Sequence, residues 1–251
     1  MSGYAARLWR LSVCEWQLRA QSRPSGFLWT LLQPIFMFCT LSYVFSRWLG
    51  PSTPDYRARL LIGVLQWGFF STCTAYCLSS LVRRAPILRN FSLPLDLPVL
   101  STAASVAASH AVEVLLLCVY LSAIGYPPRA RWLLLLPAEL TLVALAVGAS
   151  LVLAWLAVLY RDIEKIWAVV LSVGFFLTPV FYDPSLLPGG RGALLAWNPL
   201  TRVLGFSRGA LIAGPLDASG LAASFTASLL LAAGGFALLR LRDGRPRDFL
   251  Y

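Results

Sequence analysis

His110 and Glu113 are the residues whose types and spacing best suit chemistry inside an apolar run of this sequence. Side chains three positions apart share one face of a helix, and a carboxylate in such a run normally faces protein or a water-filled cavity. The pair could relay protons, or it could form a hydrogen bond that packs helices or lines a cavity. We favour the second interpretation. Glu139 is expected to be neutralised by Arg129 or Arg131.

The sequence shows no other pattern typical of catalysis or metal binding. It has one histidine, one lysine, no GxxxxGK[ST] loop for phosphate and no paired acidic motif of a metal-dependent glycosyltransferase. Cys73 and Cys77 share a helical face, but two thiols without further ligands make a poor metal site. The five cysteines fit small buried residues better than disulfides. We therefore predict no catalytic residue, no metal and no cofactor in this chain.

Composition places these residues in a membrane. Of 251 residues, 58% are hydrophobic and 13% are charged, against about a quarter charged in soluble domains. The net charge of +10 is interpreted as topology signals and contacts with anionic headgroups rather than nucleic-acid binding. The N-terminus lacks the pattern of a cleaved signal peptide, so the first spanning helix is expected to act as an uncleaved insertion signal.

Residues 4–22 are predicted to form an amphipathic helix lying in the membrane interface. Trp9, Val13 and Trp16 form one stripe, with Arg7 and Arg10 on the other side. A second apolar strip, with Leu8 and Leu11, runs beside Glu15, and a plain cytoplasmic leader helix is the alternative. The residues expected at the interface or on lipid headgroups are Arg7, Trp9, Arg10, Trp16, Arg19 and Arg23.

Six runs are apolar enough to be predicted as transmembrane helices in a single all-α domain covering residues 1–251. They are residues 27–46, 60–82, 99–126, 132–160, 166–182 and 218–239. An even number of spans puts both termini on one side. With that side cytoplasmic, thirteen basic residues lie inside and eight outside, as the positive-inside rule requires.

Residues 183–217 form a long, mostly apolar segment between the fifth and sixth runs. Its pieces are too short or too charged to span, so re-entrant or interfacial half-helices at the outer side are predicted. Asn198 is a good N-cap and Pro199 a good first helical residue, which predicts that a new helix starts there.

Several motifs together resemble a known family. They are Ser25-Gly26-Phe27-Leu28-Trp29, Gln33-Pro34, Gly63-Val64-Leu65-Gln66-Trp67-Gly68-Phe69-Phe70-Ser71, Tyr160-Arg161-Asp162, Phe176-Leu177-Thr178-Pro179, Tyr182-Asp183-Pro184 and Trp197-Asn198-Pro199-Leu200. Their order and spacing are similar to the membrane subunit of polysaccharide ABC exporters, a family that includes O-antigen, capsule and teichoic acid export permeases.

The resemblance implies a homodimer of permeases with two separate ATPase subunits, which would bind ATP and Mg. The implied ATPase-coupling residues are Arg83, Arg84, Ile87, Leu88, Arg89, Asn90, Tyr160, Arg161, Asp162 and Glu164. The implied outer gate contains Leu186, Leu187, Trp197, Asn198, Pro199 and Arg202. The aromatic residues expected to line a sugar-conducting channel are Trp67, Phe69, Phe70, Tyr76, Phe175, Phe176, Phe181 and Tyr182.

The predicted function is therefore that of a channel-forming permease in the bacterial inner membrane. It would belong to an ATP-driven exporter of lipid-linked polysaccharide. A permease of the same architecture that exports a small lipid or drug is the alternative, and a proton-coupled secondary transporter would depend on His110 and Glu113. A membrane-embedded transferase should show a carboxylate or histidine cluster at one interface, and the sequence has none. The sugar polymer and the lipid carrier are left open.

Overall fold

The computed structural model describes residues 2–21, 26–51, 53, 55–90, 93–187, 192–195 and 197–241. Every regular element within these ranges is a helix, which confirms the all-α class. In chain order the helices are α1 (Ser2–Gln21), α2 (Gly26–Leu49), α3 (Tyr56–Leu78), α4 (Ser80–Arg83), α5 (Ala85–Asn90), α6 (Asp96–Ala123), α7 (Leu135–Leu159), α8 (Ile163–Leu177), α9 (Gly192–Leu195), α10 (Pro199–Ile212) and α11 (Ala218–Leu241).

Four stretches within the described residues are long and apolar enough to cross a membrane. They are Tyr56–Leu78, Asp96–Ala123, Ala130–Leu159 and Ala218–Arg240. The chain is therefore a multi-pass membrane protein, and the count of six spans stays a prediction. Helix α8 has 15 residues and so reaches about 22 Å, less than the roughly 30 Å of a hydrocarbon core.

Helices α3 and α8 end at least four residues earlier than the apolar runs suggested. Helix α3 stops at Leu78, and after Ser79 the short helix α4 continues from Ser80 to Arg83, so the predicted end at residue 82 falls within α4. The hydroxyl of Ser80 bonds the carbonyl of Cys77 at 2.6 Å at this break. Helix α8 stops at Leu177 instead of residue 182. Thr178 is extended there, with φ −96° and ψ 132°, as expected for a residue that precedes a proline.

Helix α3 is the central element of the bundle. Its apolar window is 72% buried, against 28–44% for the other three candidate spans, and it packs against α2, α6, α7, α8 and α10. A helix that is apolar on all sides is expected to be enclosed by protein. Polar side chains placed on α3 are therefore held inside the subunit.

Helices α7 and α11 form the most extensive helix pair, and small residues bring them close together. A Cβ atom added at Gly148 would lie 2.9 Å from the backbone nitrogen of Ala232. One added at Gly235 would lie 2.6 Å from the Cβ atom of Leu151. Close approach through small residues is a common way to pack membrane helices.

We expect Gly235→Ala to destabilise the subunit by about 1–3 kcal/mol, because the added methyl group overpacks the contact with Leu151. The matched control is Gly234→Ala. Gly234 faces open space, so this variant should be neutral or stabilising by about 0.5 kcal/mol through helix propensity alone. Thermal unfolding of the two purified variants checks the prediction, and equal midpoints would contradict it.

Candidate functional site

Helix α1 is fixed to the start of α6 by two short hydrogen bonds. The Tyr4 hydroxyl donates to the Asp96 carboxylate at 2.5 Å, and the Thr102 hydroxyl donates to the Glu15 carboxylate at 2.5 Å. Burial and the bond to Asp96 raise the pKa of Tyr4 well above its usual range. The strip that carries Glu15 thus faces the protein. We call this part of the molecule, with the ends of α3 and α7, the α1 end of the bundle.

Arg84 joins α1 to the segment that follows α3. Its guanidinium lies 2.7 Å from the Glu15 carboxylate and donates to the Ser101 hydroxyl at 2.9 Å. Both charged side chains are more than four-fifths buried, with 17% and 16% exposed. An ion pair so far removed from water is screened less by salt than a surface pair. Arg84 therefore holds α1 in place, whatever it contacts on a partner.

The opposite face of α1 is open. Trp9 is 71% exposed and Trp16 is 40% exposed, and Arg7 and Arg10 are also exposed. The side chains of Arg19 and Arg23 lie outside the described residues. The exposed tryptophans fit a helix that lies in the membrane interface, which stays a prediction.

The other predicted coupling residues of helices α4 and α5 differ in exposure. Arg83 is exposed; its guanidinium donates to the Tyr76 carbonyl at 2.9 Å and lies over the Tyr76 ring. Leu88 is 2% exposed and packs in the core of the subunit. The side chains of Ile87, Arg89 and Asn90 lie outside the described residues. Among the predicted coupling residues of this segment whose side chains are described, Arg83 is therefore the exposed one.

The turn between α7 and α8 lies at the same end and projects into solvent. Tyr160, Arg161, Asp162, Glu164 and Lys165 are all exposed. Lys165 and Asp162 form an ion pair at 3.4 Å, but both side chains are more than three-quarters exposed, so the pair contributes little to stability. The exposed side chains of this turn are therefore accessible to a partner, as a docking surface requires.

The aromatic residues predicted to line a channel divide into three groups by exposure. Phe69, Phe70 and Phe175 are buried, Tyr76 and Phe176 are exposed, and Trp67, Phe181 and Tyr182 are half-buried. The Phe181 ring contacts two others: its centroid lies 5.7 Å from that of Phe175 and 5.1 Å from that of Tyr182. The buried rings pack in the core of the single subunit, and the channel role of all eight residues stays a prediction.

A buried polar cluster connects α3, α6, α7 and α10. His110 lies 3.3 Å from a Glu113 oxygen through Nδ1 and 3.1 Å from a Glu139 oxygen through Nε2. The amide of Gln66 donates to Glu139 at 3.2 Å and to the Ser207 hydroxyl at 2.6 Å. The expected contact of Glu139 with Arg129 or Arg131 is therefore wrong: Glu139 turns inward to His110, and Arg131 donates to the Gly214 carbonyl.

The segment after α8, which the sequence predicts to lie at the outer side, has a capped helix at the predicted position. Helix α10 begins at Pro199, and the Asn198 side chain accepts a bond from the Leu200 nitrogen at 3.0 Å. The Asn198 amide also donates to the Thr178 hydroxyl at 2.9 Å, so the cap ties α10 to the end of α8. Trp197 and Leu186 are exposed, while Leu187 and Arg202 are half-buried.

Arg208 is a functional candidate that sequence reasoning missed. It is 8% exposed and donates to the Val180 carbonyl at 2.6 Å and to the Arg59 carbonyl at 3.2 Å. The backbone at Val180 passes close to α3: a Cβ atom added at Gly63 would lie 2.5 Å from the Val180 oxygen. An arginine among mostly apolar residues in the second half of α10 is the signal that could have found it.

The described geometry is that of a membrane protein with an exposed turn after α7, an N-terminal helix docked on α6 and a capped helix α10 after α8. The model of the family described as ABC-2 type transporter matches residues 6–212. The chain belongs to the ABC-2 type transporter family. The match extends from α1 to the end of α10, so it includes the turn, the polar cluster and the outer segment.

Relatives within this family are transport proteins of low identity that align along most of the chain. An O-antigen export system permease protein from Klebsiella pneumoniae is 21% identical over 93% of this chain and 91% of its own length. A protein of the same name from Myxococcus xanthus is 26% identical over 77% and 76%. The polysialic acid transport protein from Escherichia coli is 22% identical over 87% and 86%.

Proposed function

We propose that this chain is the permease subunit of an ATP-driven exporter that moves lipid-linked polysaccharide across the bacterial inner membrane. The observation that carries the proposal is its alignment along most of its length with permeases named for O-antigen export and polysialic acid transport. In this proposal two copies form the conduit. ATP and Mg²⁺ are bound by two copies of a separate ATPase subunit.

The proposed orientation puts the α1 end in the cytoplasm. The exposed turn at residues 160–165 and the exposed Arg83 then face the ATPase, while α1 lies along the headgroups. The capped helix α10 and the segment before it form the outer side. Sugar rings would stack on aromatic residues at the dimer axis, of which Phe176, 63% exposed in the single subunit, is the most accessible.

A strain lacking this chain is expected to accumulate lipid-linked polysaccharide in the cytoplasm, and the wild-type chain should restore the surface polymer. The double variant Arg83→Ala, Arg161→Ala should reach the membrane in normal amounts, because both residues are exposed, but restore export several-fold less well. Surface polymer and co-purified ATPase are the two measurements. Loss of a small amphiphile's efflux with unchanged polymer would overturn the polysaccharide assignment.

Arg84 needs its own control in this experiment. Removing Arg84 also frees α1, because Arg84 is the partner of Glu15. The charge exchange Glu15→Arg, Arg84→Glu re-forms the ion pair with its direction reversed. Recovery of export in the exchange variant separates the docking of α1 from contact with the ATPase.

A further inference from the structure

A small cavity beside Arg208 lies where three parts of the chain meet. Its lining comes from residues around the start of α3, from the segment after α8 and from α10. Leu60 and Val180 close its apolar side and are fully buried, while the ion pair of Arg59 and Asp183 forms its more exposed side. The cavity has a volume of about 10 Å³, which is about the space of one water molecule.

Arg208 brings hydrogen-bond donors to this cavity. A guanidinium group has five N–H donors. The described bonds of Arg208 use one on Nε, to the Arg59 carbonyl, and one on Nη2, to the Val180 carbonyl, which leaves three. The side chain is 8% exposed, and buried donors are normally paired. An acceptor inside the cavity is within reach of the donors that remain.

Two hydroxyl groups on the lining of the cavity are also without a partner among the described residues. They belong to Thr53 and Tyr56, which are 5% and 6% exposed. Both residues border an open groove next to the cavity as well, but their hydroxyl oxygens are closed to solvent and so do not face it. The charged residue that acts on the Tyr56 hydroxyl is Arg208, which lines the cavity and not the groove. The Tyr56 hydroxyl therefore lies on the cavity side.

We propose that this cavity binds one ordered water molecule that Arg208 shares with the hydroxyl groups of Thr53 and Tyr56. A buried water normally makes two to four hydrogen bonds, and it both accepts and donates. It accepts from the Arg208 guanidinium and donates to the hydroxyl oxygens or to Asp183. A halide ion fits less well, because it can only accept, and the Asp183 carboxylate in the lining repels it.

The water gives Arg208 a connection to the start of α3 that its direct bonds do not make. Those bonds join α10 to the Val180 carbonyl after α8 and to the Arg59 carbonyl within α3. A bond mediated by water is nearly as favourable in enthalpy as a direct one. The buried charge of Arg208 is thus solvated by two carbonyls and one water, although Asp183 pairs with Arg59.

Thr53→Val and Tyr56→Phe each remove one hydroxyl group and keep the shape of the side chain. Each variant should lower the folding equilibrium constant about fivefold, the loss expected for one hydrogen bond. Because both hydroxyls bind the same water, the double variant should lose less than the product of the two single losses. Denaturant unfolding of the purified permease in mixed micelles, followed by tryptophan fluorescence, gives all four values.

The matched control is Thr201→Val. The Thr201 hydroxyl, on α10, is also closed to solvent and without a described partner, but Thr201 does not line the cavity. This variant should be as stable as the wild type or more stable, because it removes an unpaired buried group. The same result for Thr53→Val and Tyr56→Phe would mean that the cavity is dry and would overturn the proposal. So would losses that multiply in the double variant, because the two hydroxyls would then have separate partners.

An experimental density map of the permease, at a resolution that shows ordered water, tests the site directly. One peak should lie within hydrogen-bond distance of both Arg208 and the Tyr56 hydroxyl, and a map without it overturns the proposal. Unfolding in chloride and in gluconate at equal ionic strength separates water from an anion. Equal midpoints are expected for water. A higher midpoint in chloride that Tyr56→Phe abolishes would assign a halide ion to the cavity and overturn the water.

Discussion

Replacing His110 with alanine is expected to lower the free energy of unfolding by about 3 kcal/mol, the range measured when one partner of a buried charged group is removed. His110 separates two carboxylates, at 3.1 Å and 3.3 Å, and is itself 5% exposed in its side chain. Doubly protonated imidazole can donate to both. Without it, the Gln66 amide is the one side-chain donor to Glu139 that remains among the described residues.

The triple variant His110→Leu, Glu113→Leu, Glu139→Leu is the informative control. Replacing an entire buried charged cluster by apolar residues of similar size is often neutral or stabilising, so the triple variant should unfold at a higher temperature than His110→Ala. Unfolding in mixed micelles, followed by tryptophan fluorescence, gives both values. A triple variant less stable than the single one would contradict a charge-compensation role for His110.

Export by the triple variant decides between the two interpretations of this cluster. If the cluster only packs helices, a stable triple variant exports normally with its ATPase. If it relays protons, export is lost although the subunit is folded and bound to its ATPase. The contacts of His110 with both α6 and α7 favour packing, since they join two neighbouring helices within one subunit.

The sequence predicted one half of this cluster and not the other, for a geometric reason. His110 and Glu113 are three residues apart on one helix, so their contact follows from local periodicity. Glu139 lies 29 residues away on α7, and its partner depends on the axial alignment of two helices. Charge alone predicts that Glu139 pairs with Arg131, which is near it in sequence. Burial of the Glu139 carboxylate instead favours a paired contact inside the bundle.

At the two ends of the molecule, too, the sequence predicts the locally encoded features and not the contacts between distant segments. The start of α10 at Asn198 and Pro199 is encoded locally and was predicted correctly. The amphipathic character of α1 was also readable, but its stripe with Glu15 docks through Arg84, a contact between distant segments. The family resemblance implies a partner-facing role for Arg84, and a basic loop has no sequence signal that would also predict its internal pair with Glu15.

Arg208→Leu is the second change expected to have a large effect, roughly 3 kcal/mol on the free energy of unfolding. The guanidinium is the described side-chain donor to the carbonyls of Val180 and Arg59. The Arg59 carbonyl lies inside α3 and keeps its helical bond, but the Val180 carbonyl loses its described donor, which costs about 1–3 kcal/mol for a buried group, with bonds to charged groups at the upper end. Loss of these bonds also releases the segment after α8 from α3. Amide hydrogen exchange should therefore increase around Val180 before the rest of the bundle opens.

Arg202→Leu is the matched control, since it removes the same charge from the same helix. Arg202 is half-buried and donates to the Gly220 carbonyl at 3.5 Å, away from Val180. Its loss should leave exchange near Val180 unchanged. Equal exchange in the two variants would show that the effect comes from charge on α10 and not from the bonds of Arg208.

A second substitution tests whether the contact acts as a unit. Gly63→Ala places a methyl group 2.5 Å from the Val180 oxygen and 2.8 Å from an Arg208 nitrogen, so it should also loosen the segment after α8. Because both changes break the same contact, the double variant should be little worse than Arg208→Leu alone. Additive losses would mean that Gly63 and Arg208 support the fold independently. Non-additive losses would identify this contact as the joint that fixes the outer segment to the central helix.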